Sequence, residues 1–371
     1  MILNKEDALY CAKILQDYFD CFDKIDEYMR SQKQIQLDEI GSTLPGFGPE
    51  EDLFCDFTMN PKDMDFQIDE IPGSRWNDYI KIISSHLVST SIPGRCAQFS
   101  VKEKNTGKLV GFIRLGSPLI NCKPRNDLLG QVFTQSETGN KSFNKTTIMG
   151  FTIVPTQPFG FNYLGGKLLT AICCSHEMRE LVNKKYKMNL CLFETTSLYG
   201  SSKSVSQYDG MKPYIRFKGL TDSKFVPTLD GITYKKLKDF IEEKTGEELI
   251  DPEGSSKKLK ATTKAIALIK KSLHGQPELE IFNTSIEKAK TLTEKKRYYI
   301  SNYGFKNFVD VVNGKADILE KDENYDKFSM VNVVEWWRNK ASNRYENLKA
   351  EGRLRTEQEI WTSGKHIDII R

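Results

Sequence analysis

The sequence contains none of the segments that direct proteins into or across membranes. Nowhere in the 371 residues does an apolar run reach the roughly 18 residues that a membrane-spanning helix needs. The N-terminal segment has neither a basic start nor an uninterrupted apolar core, so it does not predict a signal peptide. We therefore expect a cytoplasmic protein without a membrane partner.

Patterns that bind metals are also scarce. The four histidines are scattered through the chain, and the eight cysteines form no pair of Cys-x-x-Cys knuckles. Cys173 and Cys174 are adjacent, and adjacent side chains on a helix point apart, which disfavours a shared zinc ion. Without a secretion signal, the thiols are expected to be reduced. We expect no metal site.

Neither sign of charge dominates the composition. The 54 Lys and Arg residues nearly balance the 50 Asp and Glu residues, which leaves a formal net charge of +4. This charge permits nucleic-acid binding without predicting it, so the distribution of charge is more informative than the sum. The 39% hydrophobic and 28% charged residues are typical of soluble globular domains, and the length allows two or three of them.

Three regions differ in their patterns. Near the N-terminus, Leu9, Ala12, Leu15 and Phe19 recur three or four residues apart and predict an amphipathic helix. Gly41–Pro72 is rich in glycine, proline and acidic residues, which predicts an irregular connection. We therefore predict a helix and connection over residues 1–72, an α/β domain over residues 73–230, and a mainly helical, basic region over residues 231–371.

The middle region alternates between strand and helix patterns. Asn105-Thr106-Gly107 separates two apolar runs and is typical of a hairpin turn. Two further apolar runs, Ile148–Pro155 and Leu190–Thr195, predict buried strands, and Leu164–Tyr186 between them predicts a helix. Because strand–helix–strand connections are nearly always right-handed crossovers, we expect these two strands to be parallel neighbours in a mixed sheet with flanking helices.

A glycine-rich loop precedes that predicted helix. Gly160, Gly165, Gly166 and Lys167 lie where a buried strand would give way to the first turn of a helix. Glycines let the backbone approach a ligand, and the unpaired N–H groups of a helix start bind phosphate or carboxylate. The alternative is that these glycines only turn the chain tightly between the two elements.

Several polar residues of the middle region suit either chemistry or structure. Glu194 would end a buried strand, where a carboxylate is costly unless it is paired or kept protonated, so it suits a general base or a salt bridge. Arg125 and Asp127 belong to a polar segment and either serve a site or pair with each other. His86 lies near the end of a predicted helix, where packing competes with a role in proton transfer.

The motifs of this region resemble two related families. Ile153-Val154-Pro155, then Gln157 and Gly160, then Leu164–Leu169 resemble the strand, pyrophosphate loop and helix of GNAT-type acyltransferases, although Asn162 stands where that pattern has glycine. Over about 150 residues, a longer series of small motifs is similar to the Druantia type A protein family of anti-phage systems. The series comprises Trp76, His86-Leu87, Leu109–Ile113, Gly116-Ser117-Pro118, Arg125, Asp127, Leu129-Gly130, Leu192–Thr195 and Tyr208.

The resemblance implies a GNAT-like fold, related to the Mom-type enzymes that modify phage DNA, and a set of roles for the residues that match. An acyl-CoA or another acyl or aminoacyl donor would bind at Gln157, Gly160, Gly165, Gly166 and Lys167. The catalytic set would be Glu194, His86, Tyr208, Asp127 and Arg125, with Glu194 or His86 accepting a proton and Tyr208 assisting the leaving group. Other defence or phage proteins would be partners.

The C-terminal region carries basic residues with aromatic residues between them. Lys257, Lys258, Lys260 and Lys264 fall in a stretch without acidic residues, and Arg338 and Arg344 follow Trp336-Trp337. Lysine and arginine neutralise phosphates while aromatic rings stack on bases, so we predict nucleic-acid binding here, with DNA favoured over RNA. The alternative is a solvated helical surface balanced by nearby glutamates.

Three hypotheses for function remain open. The first is a GNAT-like acyl- or aminoacyl-transferase that modifies a DNA base. The second is a DNA-binding subunit of a defence or phage system that has the same fold but no catalytic activity. The third is a strand-processing activity, which would need paired carboxylates around Mg²⁺, and Asp127 with Glu194 is the pair the sequence offers.

Overall fold

The structure is a computed structural model of the chain. It describes residues 1–21, 25–40, 52–85, 88, 94–119, 121–130, 137–197, 206–221, 229, 231–249, 257–291 and 295–367. For residues 25, 26, 28, 39, 40, 257–259 and 291 it describes the backbone alone. His86 lies outside the described residues, so its predicted role is untested.

Seven strands form one mixed sheet with the order β1-β2-β3-β4-β5-β7-β6. The strands are β1 (Phe66–Glu70), β2 (Cys96–Glu103), β3 (Leu109–Gly116), β4 (Thr147–Pro155), β5 (Leu192–Ser197), β6 (Arg216–Leu220) and β7 (Arg297–Ser301). Neighbours are antiparallel except β4 and β5, which are parallel. The mixed α/β class and the parallel pair predicted from the sequence are therefore confirmed.

Helices of varied length accompany the sheet. They are α1 (Lys5–Asp20), α2 (Ile25–Ile40), α3 (Gly73–Ile83), α4 (Lys123–Leu129), α5 (Glu137–Thr146), α6 (Phe159–Tyr163), α7 (Gly165–Cys173), α8 (His176–Tyr186), α9 (Gly231–Thr245), α10 (Lys257–Ser272), α11 (Glu278–Thr291), α12 (Phe308–Val312) and α13 (Met330–Ala350). Over the part of the chain that the structure describes, each helix is too short or too polar to cross a bilayer.

The single helix predicted over Leu164–Tyr186 is two helices, α7 and α8, and the short α6 precedes them. Leu164 adopts a left-handed conformation (φ 55°) between α6 and α7. A second break lies between α7 and α8, where the Ser175 hydroxyl accepts a hydrogen bond from the backbone N–H of Met178 and so caps α8. Ser and Thr favour such caps over helix interiors because their oxygens satisfy N–H groups that have no partner within the helix.

The central parallel pair separates part-way along its length. Backbone pairing joins β4 and β5 only from Thr147 opposite Leu192 to Gly150 opposite Thr195. Beyond that point β4 continues against β3 as far as Pro155, and β5 continues against β7 through Thr196 and Ser197. The two strands therefore diverge at their C-terminal ends, the end from which α6 and α7 begin.

The chain divides into two compact units. The first comprises residues 1–32 and 223–294, and the second comprises residues 33–222 and 295–371. In the first, α1 packs on α10 and α11 around a core of Leu15, Phe19, Ile269, Phe282 and others. In the second, the sheet and its helices enclose the larger core.

These units differ from the three segments predicted from the sequence. The sheet includes β1 and β7, which lie outside residues 73–230, and the helices of residues 231–291 join the N-terminal helix instead of the C-terminal end. β1 also corrects the interpretation of Gly41–Pro72 as wholly irregular. Just before β7, Lys295 and Lys296 are exposed, whereas Tyr298 and Tyr299 within the strand are buried.

Candidate functional site

Glu194 on β5 is the centre of a buried polar cluster. Its Oε1 lies 3.1 Å from Nη1 of Arg125, which α4 supplies, and its Oε2 accepts a 2.6 Å hydrogen bond from the hydroxyl of Tyr298 on β7. The Arg125 guanidinium also donates to the carbonyl of Leu119 at 2.6 Å and lies 4.5 Å from the ring centre of Phe143. Two members of the catalytic set that the resemblance implies, Arg125 and Glu194, are therefore in direct contact with each other.

The same geometry argues against Glu194 as the general base. The side chains of Arg125 and Glu194 are 0% and 1% exposed, and both carboxylate oxygens already accept hydrogen bonds. Burial raises the pKa of Glu194, while the charge of Arg125 and the hydrogen bond from Tyr298 lower it. A base must reach the proton that it removes, so a closed, fully buried ion pair suits structure better than proton transfer.

Asp127 does not join this cluster. Its carboxylate lies 2.7 Å from Lys123 Nζ in an exposed pair one helical turn apart on α4, whereas Arg125 points inward from the same helix. Arg125 and Asp127 therefore do not pair with each other. In the described ranges, no group of three or more His, Cys, Asp or Glu side chains is placed to hold a metal ion. Asp127 and Glu194 offer no support for the strand-processing hypothesis.

Tyr208 lies where the parallel strands diverge. Its ring meets that of Tyr299 edge to face at 5.2 Å, and Tyr299 is the β7 residue paired with Thr195 of β5. Thr195 Oγ1 in turn donates to the carbonyl of Gly150, the last paired residue of β4. Burial raises the pKa of Tyr208 to about 12, so this phenol holds its proton at neutral pH. The alternative of an exposed turn residue is wrong.

The glycine-rich segment forms part of a packed core. An added Cβ at Gly160 would lie 2.7 Å from Pro155 Cγ, and one at Gly165 would lie 2.8 Å from Phe159 Cδ1 and from Pro155 Cβ. The Gln157 side-chain oxygen accepts a hydrogen bond from the backbone N–H of Phe161, within α6. These contacts explain Gly160 and Gly165 by close packing against Pro155 and Phe159. A donor-binding role for Gln157, Gly160 and Gly165 stays a prediction.

The start of α7 is covered by the turn at residues 206–209. Lys167 Nζ donates to the carbonyls of Gln207 (3.0 Å) and Asp209 (2.5 Å), and a Cβ at Gly166 would lie 2.4 Å from Gln207 Oε1. Arg297 Nη1, 3.2 Å from the Asp209 carboxylate, helps to hold this turn. The ammonium of Lys167 is thus already held by two backbone carbonyls, and a donor-binding role for Gly166 and Lys167 stays a prediction.

The predicted nucleic-acid residues fall into different units. Lys257, Lys258, Lys260 and Lys264 belong to α10 of the first unit, and the latter two are exposed. Arg338 and Arg344 belong to α13 of the second unit. Arg338 donates to the carbonyl of Met64 through two nitrogens, at 3.0 and 2.7 Å, and Arg344 donates to the carbonyl of Phe161 at 3.4 Å. Binding by these residues stays a prediction.

Three residues that matter to this geometry were missed from the sequence. Tyr298 completes the buried cluster around Glu194, and Asp209 anchors the 206–209 turn. Thr195 donates a hydrogen bond from β5 to the carbonyl of Gly150 on β4. A signal for Tyr298 existed in the short run Tyr298–Ile300, which is typical of a strand. Nothing in the sequence indicates the partners of Thr195 and Asp209.

Comparison with known protein families gives a match for the part of the chain that forms most of the sheet. Residues 58–209 match the family model of Druantia protein DruA. This range runs from before β1 to the 206–209 turn and includes Arg125, Glu194 and Tyr208, but it covers less than half of the chain. The resemblance to Druantia type A proteins inferred from the sequence is confirmed over this range.

A curated relative agrees with this match. A Druantia protein DruA of Escherichia coli (strain UMEA 4076-1) is 26% identical over 155 residues, which are 38% of this chain and 32% of that relative. The match therefore spans about a third of the relative's length. No solved structure matches the chain.

Proposed function

We propose that this chain acts in anti-phage defence as a nucleic-acid-binding component, with DNA as the preferred partner. The similarity of residues 58–209 to Druantia protein DruA supports the defence role. Because that relative extends well beyond the matched part, we expect other defence proteins to act with this chain. Plaque counts on cells carrying the native locus test this role. An in-frame deletion of the gene should raise the counts, and unchanged counts would contradict it.

The exposed basic face of α10 is the observation that carries the binding proposal. This helix contains Lys257, Lys258, Lys260, Lys264, Lys270 and Lys271 and no acidic residue. Ala261, Ala265 and Ile269 are buried in the core of the first unit, whereas Lys260 and Lys264 are exposed one turn apart. The core fixes which face of the helix meets solvent, so Lys260 and Lys264 present positive charge to an anionic polymer.

A salt series on the full chain tests this surface. With a duplex of about 20 base pairs, Lys260→Ala/Lys264→Ala should weaken binding between about 50 and 200 mM salt. The log–log salt slope should fall by about 0.9 for each phosphate that the variant no longer neutralises. The matched control is Lys235→Ala/Lys244→Ala on α9, a helix that also carries Glu242 and Glu243. Equal slopes for the two variants would mean that the α10 lysines are only a solvated surface.

A second candidate is a GNAT-like acyl- or aminoacyl-transferase acting on a DNA base. The divergence of β4 and β5, with the Tyr208 hydroxyl at the point of divergence, favours it. Its proton-holding phenol suits a group that protonates a leaving atom. The hydrogen bonds that hold Lys167 to the carbonyls of Gln207 and Asp209 count against it, and we derive no step through the donor.

Mass spectrometry of nucleosides separates the two candidates. DNA from cells that express the chain would contain a base of increased mass if the transferase candidate is right, and Tyr208→Phe would abolish it. Tyr214→Phe is a matched control because Tyr214 is also buried in the second unit and its hydroxyl donates to the backbone carbonyl of Asn332. Unmodified nucleosides together with salt-dependent DNA binding would leave the binding component as the function.

A further inference from the structure

A second basic face lies on α13, far in sequence from the lysines of α10. Trp336, Lys340 and Arg344 follow one another at intervals of four residues and so share one side of the helix. Lys340 Nζ lies 5.4 Å from the ring centre of Trp336, and the Arg344 guanidinium lies 4.8 Å from the ring centre of Phe161 on α6. We call these three α13 residues the α13 basic face.

The cations of this face are not neutralised. Among the described residues, neither Lys340 nor Arg344 forms an ion pair, whereas Arg353 and Arg355 just beyond the helix pair with Glu351 and Glu359. Instead, like charges are neighbours. Burial, and next the charge of Arg353, lower the pKa of Arg344, while the charge of Glu351 acts in the opposite direction. Like charges that the fold holds near each other carry a cost, which an anionic partner would offset.

Aromatic rings accompany these cations. Phe161 is half-buried and is covered by two guanidinium groups, with Arg355 at 4.1 Å from its centre and Arg344 at 4.8 Å. Trp336 is half-buried under Lys340 and meets Tyr214 edge to face at 5.0 Å. Cations interleaved with aromatic rings are typical of surfaces that hold a nucleic-acid strand, because phosphates and bases alternate along it.

We infer that the α13 basic face binds the phosphodiester backbone of the nucleic acid, through Lys340 and Arg344. This inference rests on the proposed function and adds a contact surface in the second unit to the one on α10. An acidic peptide would also meet the positive charge, but it would make no use of the aromatic rings, so nucleic acid is the partner that the residues favour.

Charge reversal on the full chain tests the inference. We expect Lys340→Glu/Arg344→Glu to weaken binding to an oligonucleotide of about 20 nucleotides at least about tenfold at about 50 mM salt, and to reduce the log–log slope by about 1.4 to 1.8 for two phosphates. Lys349→Glu is the matched control. It makes the same change of charge as Lys340→Glu alone, at an exposed site of α13 that lies nine residues from Lys340, or about 180° around the helix, and should leave the slope unchanged.

Arg344 contacts Phe161, so its substitution can disturb the fold. Lys340→Glu alone therefore carries the test if thermal unfolding shows that the double variant is destabilised, and it should reduce the slope by about half as much. Loss of affinity in Lys349→Glu equal to that in Lys340→Glu would overturn the inference. So would displacement of the oligonucleotide by polyglutamate at equal charge concentration, since an acidic protein would then be the partner.

The outcomes also separate this inference from the function on which it rests. If substitution of Lys260 and Lys264 weakens binding while the α13 variants bind with the wild-type slope, the inference fails and the proposed function stands. If the unsubstituted chain binds no oligonucleotide at about 50 mM salt, the proposed function fails, and the inference fails with it.

Discussion

Nη1 of Arg125 lies 3.1 Å from Oε1 of Glu194, 69 residues further along the chain, and both side chains are almost completely buried. The contact joins α4 to the centre of the sheet. Two charges withdrawn from water are tolerated only when they satisfy each other and their remaining hydrogen-bonding groups. Tyr298 and the carbonyl of Leu119 complete that requirement here.

Breaking this pair should destabilise the second unit strongly. We expect Arg125→Met to lower the free energy of unfolding by about 3–5 kcal/mol, because it leaves the Glu194 carboxylate buried without its cation. Arg125→Met/Glu194→Leu should recover more than half of that loss, since it removes both charges. Urea unfolding at neutral pH measures the two values.

The exposed pair on the same helix is the control for this experiment. Lys123 and Asp127 are 60% and 63% exposed, and Lys123→Met should cost less than about 1 kcal/mol. If Arg125→Met cost no more than Lys123→Met, the buried pair would not hold α4 to the sheet, and a role for Glu194 in a site would regain support.

The sequence predicted the burial of Glu194 but not its surroundings. A carboxylate among apolar strand residues must either form an ion pair or belong to an active site. The strand–helix–strand order places β4 and β5 side by side. Which of several arginines and tyrosines meets Glu194 depends on how α4 and β7 pack, and nothing in local propensity determines that. Arg125 was among the residues singled out, but Asp127, two positions away, turned out to face solvent.

β7 shows why part of the sheet could not be predicted. Its five residues follow a run of basic side chains, and it lies between β5 and β6 although residues 223–294 separate it from β6. Short strands of this kind gain their stability from neighbours on both sides and not from their own sequence.

His176 should make stability depend on pH. Its Nε2 lies 2.8 Å from the carbonyl of Tyr325, which can only accept, so Nε2 carries the proton and Nδ1 is buried without a hydrogen bond. Burial lowers the pKa of His176 below its usual 6.5, with Arg179 acting in the same direction. The unfolded chain therefore binds a proton more readily than the folded one, and stability falls as the pH drops below about 6.5.

Unfolding at a series of pH values checks this. From about pH 7.5 to about pH 5.5, we expect His176→Asn to lose less stability than the wild type, because the neutral amide removes that proton uptake. His274→Asn, which alters an exposed histidine of the first unit, should leave the pH dependence as it is. If the unfolding free energy changed with pH equally in His176→Asn and the wild type, His176 would be protonated to the same extent in the folded and the unfolded chain.

Thiol reactivity should follow burial. Cys21 and Cys55 are exposed, whereas Cys174 and Cys191 are buried and burial raises the pKa of each of these two to about 12. Because the thiolate is the reactive form, a maleimide near neutral pH should label the exposed pair rapidly and the buried pair only after unfolding. Peptide mass spectrometry measures each rate. Labelling of Cys191 as fast as that of Cys55 would contradict this, since it would show that the Cys191 thiol is accessible in the folded chain.

Gly111 on β3 should tolerate no larger residue because of how α7 packs on the sheet. A Cβ there would lie 2.4 Å from Cδ1 of Leu169, which is fully buried on α7. The φ angle of Gly111 is not positive, so alanine would suffer from crowding and not from backbone strain. We expect Gly111→Ala to cost about 1–3 kcal/mol of unfolding free energy.

A double-mutant cycle isolates this contact. Leu169→Ala makes a space of its own at about 2–5 kcal/mol. In that background, Gly111→Ala should cost at least about 1 kcal/mol less than it does alone, because the methyl group enters the space that Leu169 leaves. Additive costs would mean that α7 does not press on β3 at Gly111. The start of α7, including Gly166 and Lys167, would then be less firmly placed under the 206–209 turn, and the objection to a donor at that site would weaken.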